Sequence, residues 1–139
     1  MINIETWIPI VLSGVLSGHA SAAWFNIVGD PTKPTEDVVE VDVGTLSPYQ
    51  STRTLLIRVN RTTHRTSWDG VAYRSYTAQV LFECTKPSAY YQSITFFKDP
   101  LWVGDTTTVQ YEKEPRREMQ FRAIQPNPSA RIVKAACSR

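Results

Sequence analysis

Val38 to Val43 alternates, with Val39, Val41 and Val43 on one side of an extended chain and Val38, Glu40 and Asp42 on the other. This period of two is the signature of a half-buried strand. Thr54 to Asn60 repeats it: Leu55, Ile57 and Val59 face one way, Leu56, Arg58 and Asn60 the other. The turn residues Trp68, Asp69 and Gly70 lead into a long run from Val71 to Cys84, whose inward set is Tyr76, Ala78, Val80, Phe82 and Cys84. Ser93 to Phe97, Thr106 to Tyr111 and Glu118 to Ile124 follow as further β-rich runs. The charged block from Glu112 to Glu118, which contains Pro115, predicts a hairpin loop between the last two. Tyr90-Tyr91 and Phe96-Phe97 place adjacent aromatics on opposite faces of strands, so one of each pair belongs to the core.

The end of the chain changes period. Asn127 followed by Pro128 suits an N-cap with proline at the first helical position. In the helix that follows, Ile132, Val133, Ala136 and Cys137 share a face while Arg131 and Lys134 point away. A helix of about ten residues is marginal in isolation and needs tertiary support. The fold class is therefore α+β, mainly β: a single antiparallel, curved sheet covered by a C-terminal helix.

The N-terminus predicts export. An apolar run from Trp7 to Leu16 precedes Ala20-Ser21-Ala22, a small-x-small site of the kind signal peptidases cut, so residues 1–22 read as a signal peptide and 23–139 as one domain. The run falls short of the roughly 20 apolar residues that span a bilayer, and no membrane span is expected. Only Glu5 charges the segment before the run, so the usual positive n-region is missing, as a mis-set start codon would produce. No cysteine stands at the cleavage site to carry a lipid. The expected location is the periplasm or the exterior. There the chain's two cysteines, Cys84 and Cys137, are most simply a disulfide. It fastens helix to sheet, and closing a loop of about 54 residues contributes roughly 4 kcal/mol.

Charge refines this picture only locally. Of 139 residues and 13 acids, removal of 1–22 leaves 117 residues and 12 acids against 15 bases, a modest surplus. The pI near 8.6 is below that of a dedicated nucleic-acid binder, and no nucleic-acid partner is expected. Asp30 to Asp42 holds five acids against Lys33, while Thr45 to Phe82 holds Arg53, Arg58, Arg61, Arg65, Arg74 and His64 against Asp69. The simplest reading is cross-strand pairing between neighbouring strands. The alternative is an open anion-binding patch.

A tryptophan just after the signal (Trp24), the run Val41-Asp42-Val43-Gly44-Thr45-Leu46, a Leu-Ile-Arg-Val strand, Tyr73-Arg74-Ser75 leading to Phe82-Glu83-Cys84, and a terminal helix ending in cysteine occur in this order. The chain resembles the surface-adhesin protein E-like family of Gram-negative bacteria over essentially its whole mature length. The resemblance implies an antiparallel sheet with a C-terminal helix held by Cys84–Cys137, and an exported protein that binds host matrix components. The chain lacks a lipid-attachment cysteine, and its hairpin reads Thr-Thr-His-Arg-Thr-Ser-Trp.

Enzymatic alternatives find little support. The mature chain has one histidine, His64, so neither a His-based metal site nor a Cys/His dyad can be assembled, and no cofactor is expected. Glu112, Glu114 and Glu118 occupy a charged turn, and no G-x-S-x-G, P-loop or G-x-G-x-x-G occurs. Three functions remain in contention: a non-catalytic binding protein of the cell envelope with a protein partner, from the envelope or the host matrix; a periplasmic inhibitor or immunity-type protein; and a small hydrolase or nuclease using His64 and the arginines. The first is favoured. Its candidate protein-binding residues are Arg58, Arg61, His64, Arg65, Trp68 and Arg74. An edge strand would also allow a homodimer by pairing with its twin.

Overall fold

The computed structural model describes residues 23–111 and 113–138; the expected signal peptide, residues 1–22, lies outside the described residues, as does Glu112. Seven strands and a helix follow in order: β1 (Trp24–Val28), β2 (Val38–Tyr49), β3 (Thr52–Thr66), β4 (Ala72–Glu83), β5 (Ser88–Phe97), β6 (Thr106–Gln110), β7 (Arg117–Glu118) and α1 (Ser129–Cys137). They form one antiparallel sheet in which chain neighbours are sheet neighbours from β1 to β6, while β7 also pairs with β5. Short connections between adjacent antiparallel strands make this meander the simplest topology open to the sequence.

The alternation of β3 and β4 places Leu55, Ile57 and Val59 beside Ala78, Val80 and Phe82 on one buried face. Ile132 and Ala136 of α1 cover that face, joined by Met119, Phe121 and Ile124. Cys84 and Cys137 form a disulfide with Cα atoms 5.3 Å apart, fixing the helix to the end of β4. The helix starts at Ser129, one residue later than the sequence implies, because Pro128 takes the capping position. Asn127 still contributes: its Oδ1 accepts the Ser129 N–H at 3.0 Å.

Three sequence expectations are corrected by local hydrogen bonding. Val43 is exposed rather than inward, since the Asp42 carboxylate accepts the N–H of Gly44 at 3.1 Å and the β2–β3 register slips beyond Asp42. The Glu112–Glu118 block is not a hairpin loop. β6 and β7 run the same way along the same edge of β5, with Gln110 opposite Ser93 and Arg117 opposite Tyr91, so the two strands continue one edge instead of pairing with each other. Glu118 to Ile124 is also not a full strand. After the Met119 N–H, which donates to the Ala89 carbonyl at 2.9 Å, the ladder stops, and the Tyr91 hydroxyl rather than a strand neighbour bonds the Gln120 carbonyl at 3.0 Å and N–H at 3.2 Å. The segment then crosses over the core.

Strand β5 carries a bulge. Ser93 faces Gln79 and Tyr91 faces Val80, leaving Gln92 between them. The extra residue shifts the alternation, so that Ala89 and Tyr91 before it and Ile94 and Phe96 after it all turn inward.

One end of the opposite face is covered as well, by two loops. Asn60 is fully buried; its Nδ2 donates to the carbonyls of Pro34 (3.1 Å) and Glu36 (2.8 Å), and its Oδ1 accepts the Leu101 N–H at 2.8 Å. Ser75 accepts the Trp102 N–H at 2.9 Å and donates to the Asp99 carbonyl at 2.7 Å. These bonds hold Leu101 and Trp102 at φ 56° and 62°, conformations rarely adopted outside glycine. The Arg58 guanidinium lies between two indoles, 4.3 Å from the Trp24 ring centroid and 3.9 Å from that of Trp102, and pairs with Glu40 at 2.7 Å. Gly29, at φ 77°, permits the close approach of Asp37: a Cβ there would sit 2.0 Å from the Asp37 carbonyl oxygen.

Candidate functional site

Beyond Asn60 the β3–β4 ladder breaks. Asn60 pairs with Ser75 and Arg65 with Tyr73, so Arg61 to His64 stand opposite the single residue Arg74. An excess of residues on one strand bends it. The hairpin tip consequently lies over the sheet's own core face. Its turn is closed by Ser67, whose Oγ accepts the N–H groups of Asp69 (3.3 Å) and Val71 (3.1 Å). Trp68 packs 5.9 Å from Tyr91 and 6.3 Å from Tyr111, ring centroid to ring centroid. The Arg117 guanidinium lies 5.3 Å from the Trp68 ring, and the Tyr111 hydroxyl donates to the Asp69 carboxylate. Burial, aided by Asp69, raises the Tyr111 pKa and keeps this phenol a donor.

Beneath the tip lies a cavity of about 180 Å³. Its floor is aromatic: Tyr73, Tyr76 and Phe96 have ring centroids between 4.9 and 6.0 Å apart, with Tyr91 and Ile94 beside them. Its rim is formed by Arg65, Trp68, Gln120 and Arg122, and Arg61 lines its wall. Burial pushes the pKa values of Tyr76 and Tyr91 up, so both phenols remain protonated across the physiological range. Among the described residues, no aspartate or glutamate lines the cavity.

The six candidate residues do not share one surface. Arg58 sits on the opposite face within its indole stack. Arg61 is buried, donating from Nε to Asp37 at 2.9 Å and from Nη2 to the Arg122 carbonyl at 2.5 Å. Arg74 donates to the carbonyls of Arg61 (3.1 Å) and Pro34 (2.9 Å). The pairs Arg58–Glu40 and Arg61–Asp37 are the cross-strand charge pairing that the acidic and basic segments imply. His64, Arg65 and Trp68 remain together on the bent hairpin, with His64 exposed, Arg65 half-buried and Trp68 39% exposed.

Alternation puts Tyr76 in the core, but no periodicity points to the cavity formed with Tyr73, Tyr91 and Arg122. These residues lie on three different segments, and only the bend brings them together. Among the described residues, no group of three or more His, Cys, Asp or Glu side chains is placed to hold a metal ion. No helix among them is long and apolar enough to cross a membrane.

Comparison with known proteins gives two findings. The family model of surface-adhesin protein E matches residues 24–138. A crystal structure of Haemophilus influenzae protein E is similar at 12% sequence identity and a TM-score of 0.45, covering 73% of this chain and 83% of that one. No significant match was found among curated proteins. With a family match running from the first described strand to the end of the terminal helix, the chain belongs to the surface-adhesin protein E family and is an adhesin-like protein.

Proposed function

We propose that this is an exported, non-catalytic binding protein of the bacterial cell envelope, periplasmic or secreted. Its working domain is residues 23–139, and it engages a protein partner of the host matrix or of the envelope. The observation that carries the proposal is the hairpin tip. Trp68 stands on a turn clamped by Tyr111, Arg117 and Tyr91, and His64 and Arg65 precede it on the bent end of β3, so an aromatic is held in place beside two basic residues without a partner's help. Preorganised aromatic and arginine side chains are the usual anchors of protein interfaces. Family membership supports an adhesin-like role, and the Cys84–Cys137 disulfide supports an oxidising location. Arg58, Arg61 and Arg74 act in this scheme as supports for the fold.

The test is capture by the oxidised domain from a panel of purified matrix proteins and from envelope extract. A double variant, His64→Ala with Trp68→Ala, should weaken the captured interaction at least about tenfold, the scale of an interface hot spot. Its circular dichroism spectrum should match the wild type. Capture that the double variant leaves unchanged would count against the tip. Capture and inhibition of an envelope enzyme would replace the adhesin reading by an inhibitor one, and a hydrolytic activity lost in His64→Ala would overturn the non-catalytic reading.

A further inference from the structure

We propose that the cavity beneath the β3–β4 hairpin is a binding site for a small ring-bearing anion, an aromatic carboxylate of about the size of benzoate. This does not depend on the hairpin tip binding a protein. Size sets the first limit. A cavity of about 150 Å³ accepts benzene, so the 180 Å³ found here has room for one six-membered ring and a small substituent. Sites for larger cofactors and drug-sized ligands run to about 300–1,000 Å³.

The floor selects a ring. Tyr73, Tyr76 and Phe96 are tilted or edge-on to one another, which leaves both ring faces and ring edges available to an aromatic guest. The walls select a negative charge. Arg61, Arg65 and Arg122 line the cavity, with no carboxylate among the described residues that line it. Arg65 and Arg122 have no acidic partner among the described residues. Arg61 is buried, and Asp37 and the Arg122 carbonyl engage only two of its N–H groups, leaving donors for a guest. Tyr73 also lines the cavity, and its hydroxyl makes no hydrogen bond to the described residues. A guanidinium fork matches the two oxygens of a carboxylate, and a phenol can donate to either. A buried arginine that keeps unused donors beside its Asp37 contact, above an aromatic floor, fits a guest that brings its own ring and its own charge.

The experiment is a titration of the oxidised domain with benzoate, with neutral benzamide as the isostere and with acetate as the anion lacking a ring. Binding is read by calorimetry and by amide shifts in 15N-labelled protein. Benzoate should saturate with a Kd of about 1 mM or tighter, with shifts confined to Tyr73, Tyr76, Ile94, Phe96 and the Thr66–Trp68 turn. Benzamide and acetate should each bind at least about tenfold more weakly, the loss of one good interaction. The double variant Arg65→Gln with Arg122→Gln, which leaves the buried Arg61–Asp37 pair untouched, should lower benzoate affinity by a similar factor or more. Absence of saturable benzoate binding, equal affinity for benzamide, shifts located elsewhere, or an unaltered double variant would each overturn the proposal. None of these outcomes bears on capture of a protein partner.

Discussion

Asn60→Asp is a near-isosteric change that tests whether the loops seal the Asn60 end of the sheet's outer face. In the native protein the Asn60 amide joins three backbone groups from two loops: the carbonyls of Pro34 and Glu36 accept from Nδ2, and the Leu101 N–H donates to Oδ1. The aspartate keeps the acceptor for Leu101 but replaces the donor by an anionic oxygen facing two carbonyls. Each buried group left without its partner costs about 1–3 kcal/mol, more where a charge is involved. Two orphaned carbonyls and a repelled carboxylate therefore sum to roughly 4 kcal/mol. Asn60→Ala, which orphans the three backbone groups without adding a charge, should cost about 3 kcal/mol once water reaches the loop side. At roughly 4 °C per kcal/mol for a domain of this size, the melting temperature should fall by about 16 °C for the aspartate and about 12 °C for the alanine. Chemical denaturation followed by circular dichroism measures both. Protonating the introduced carboxyl restores a donor, so its deficit should shrink as the pH falls towards about 4. The reasoning is refuted if Asn60→Asp at pH 7 lies within about 0.5 kcal/mol of the wild type, the range of ordinary surface substitutions.

The remaining predictions concern the disulfide, the indole stack and the phenols. Cys84→Ser with Cys137→Ser should lower stability by about 4 kcal/mol through the freed loop, and limited proteolysis should then cut first at α1, which makes few contacts with β3 and β4 beyond its anchor. Arg58→Ala should cost about 3–5 kcal/mol, because it leaves Glu40, whose side chain is 4% exposed, as a buried charge without its partner; Glu40→Gln in the same chain should recover part of that loss in a denaturation cycle. Tyr76, Tyr91 and Tyr111 all have folded-state pKa values raised above the ordinary value of 10 by burial. A raised folded pKa contributes stability that is complete below pH 10 and is lost as the pH rises above it. An ultraviolet titration of the native protein should therefore find Tyr76, Tyr91 and Tyr111 un-ionised near pH 10 and release them together on alkaline unfolding.

Periodicity carried the sequence reading as far as one face of the sheet. Leu55, Ile57 and Val59, and the even-numbered residues from Tyr76 to Phe82, are buried where alternation puts them, and Ile132 and Ala136 point inward from α1. Cys84 and Cys137 are joined, because strand and helix each present them on the covered side. Alternation divides a strand into two faces, however, and does not say that only one is covered. Val38, Glu40, Asn60 and Ser75 are buried on the second face by loops around Pro34 and Leu101. Those loops have no period to read, and their grip depends on side chains bonding backbone groups more than 20 residues away. Arg61 shows the same limit: in sequence it is one of several exposed-looking arginines, and only the distant Asp37 makes its burial tolerable.

The cavity follows from register rather than from composition. Four residues of β3, Arg61 to His64, oppose one residue of β4, Arg74, and this excess turns the hairpin over the core face. Gln92 bulges from β5 and brings Tyr91 inward at the place where the hairpin lands. On the far side of β5, the edge divides between β6 and β7 at the same level, which frees Tyr111 to reach Asp69 and Arg117 to cover Trp68. Each irregularity alone would weaken a sheet that has few residues to spare. Together they are mutually dependent, because the bent hairpin has no packing partner unless Tyr91 and Tyr111 face it, and those tyrosines have no cover unless the hairpin bends. Bulges placed so that each supplies the other's contact re-aim side chains at a fixed position.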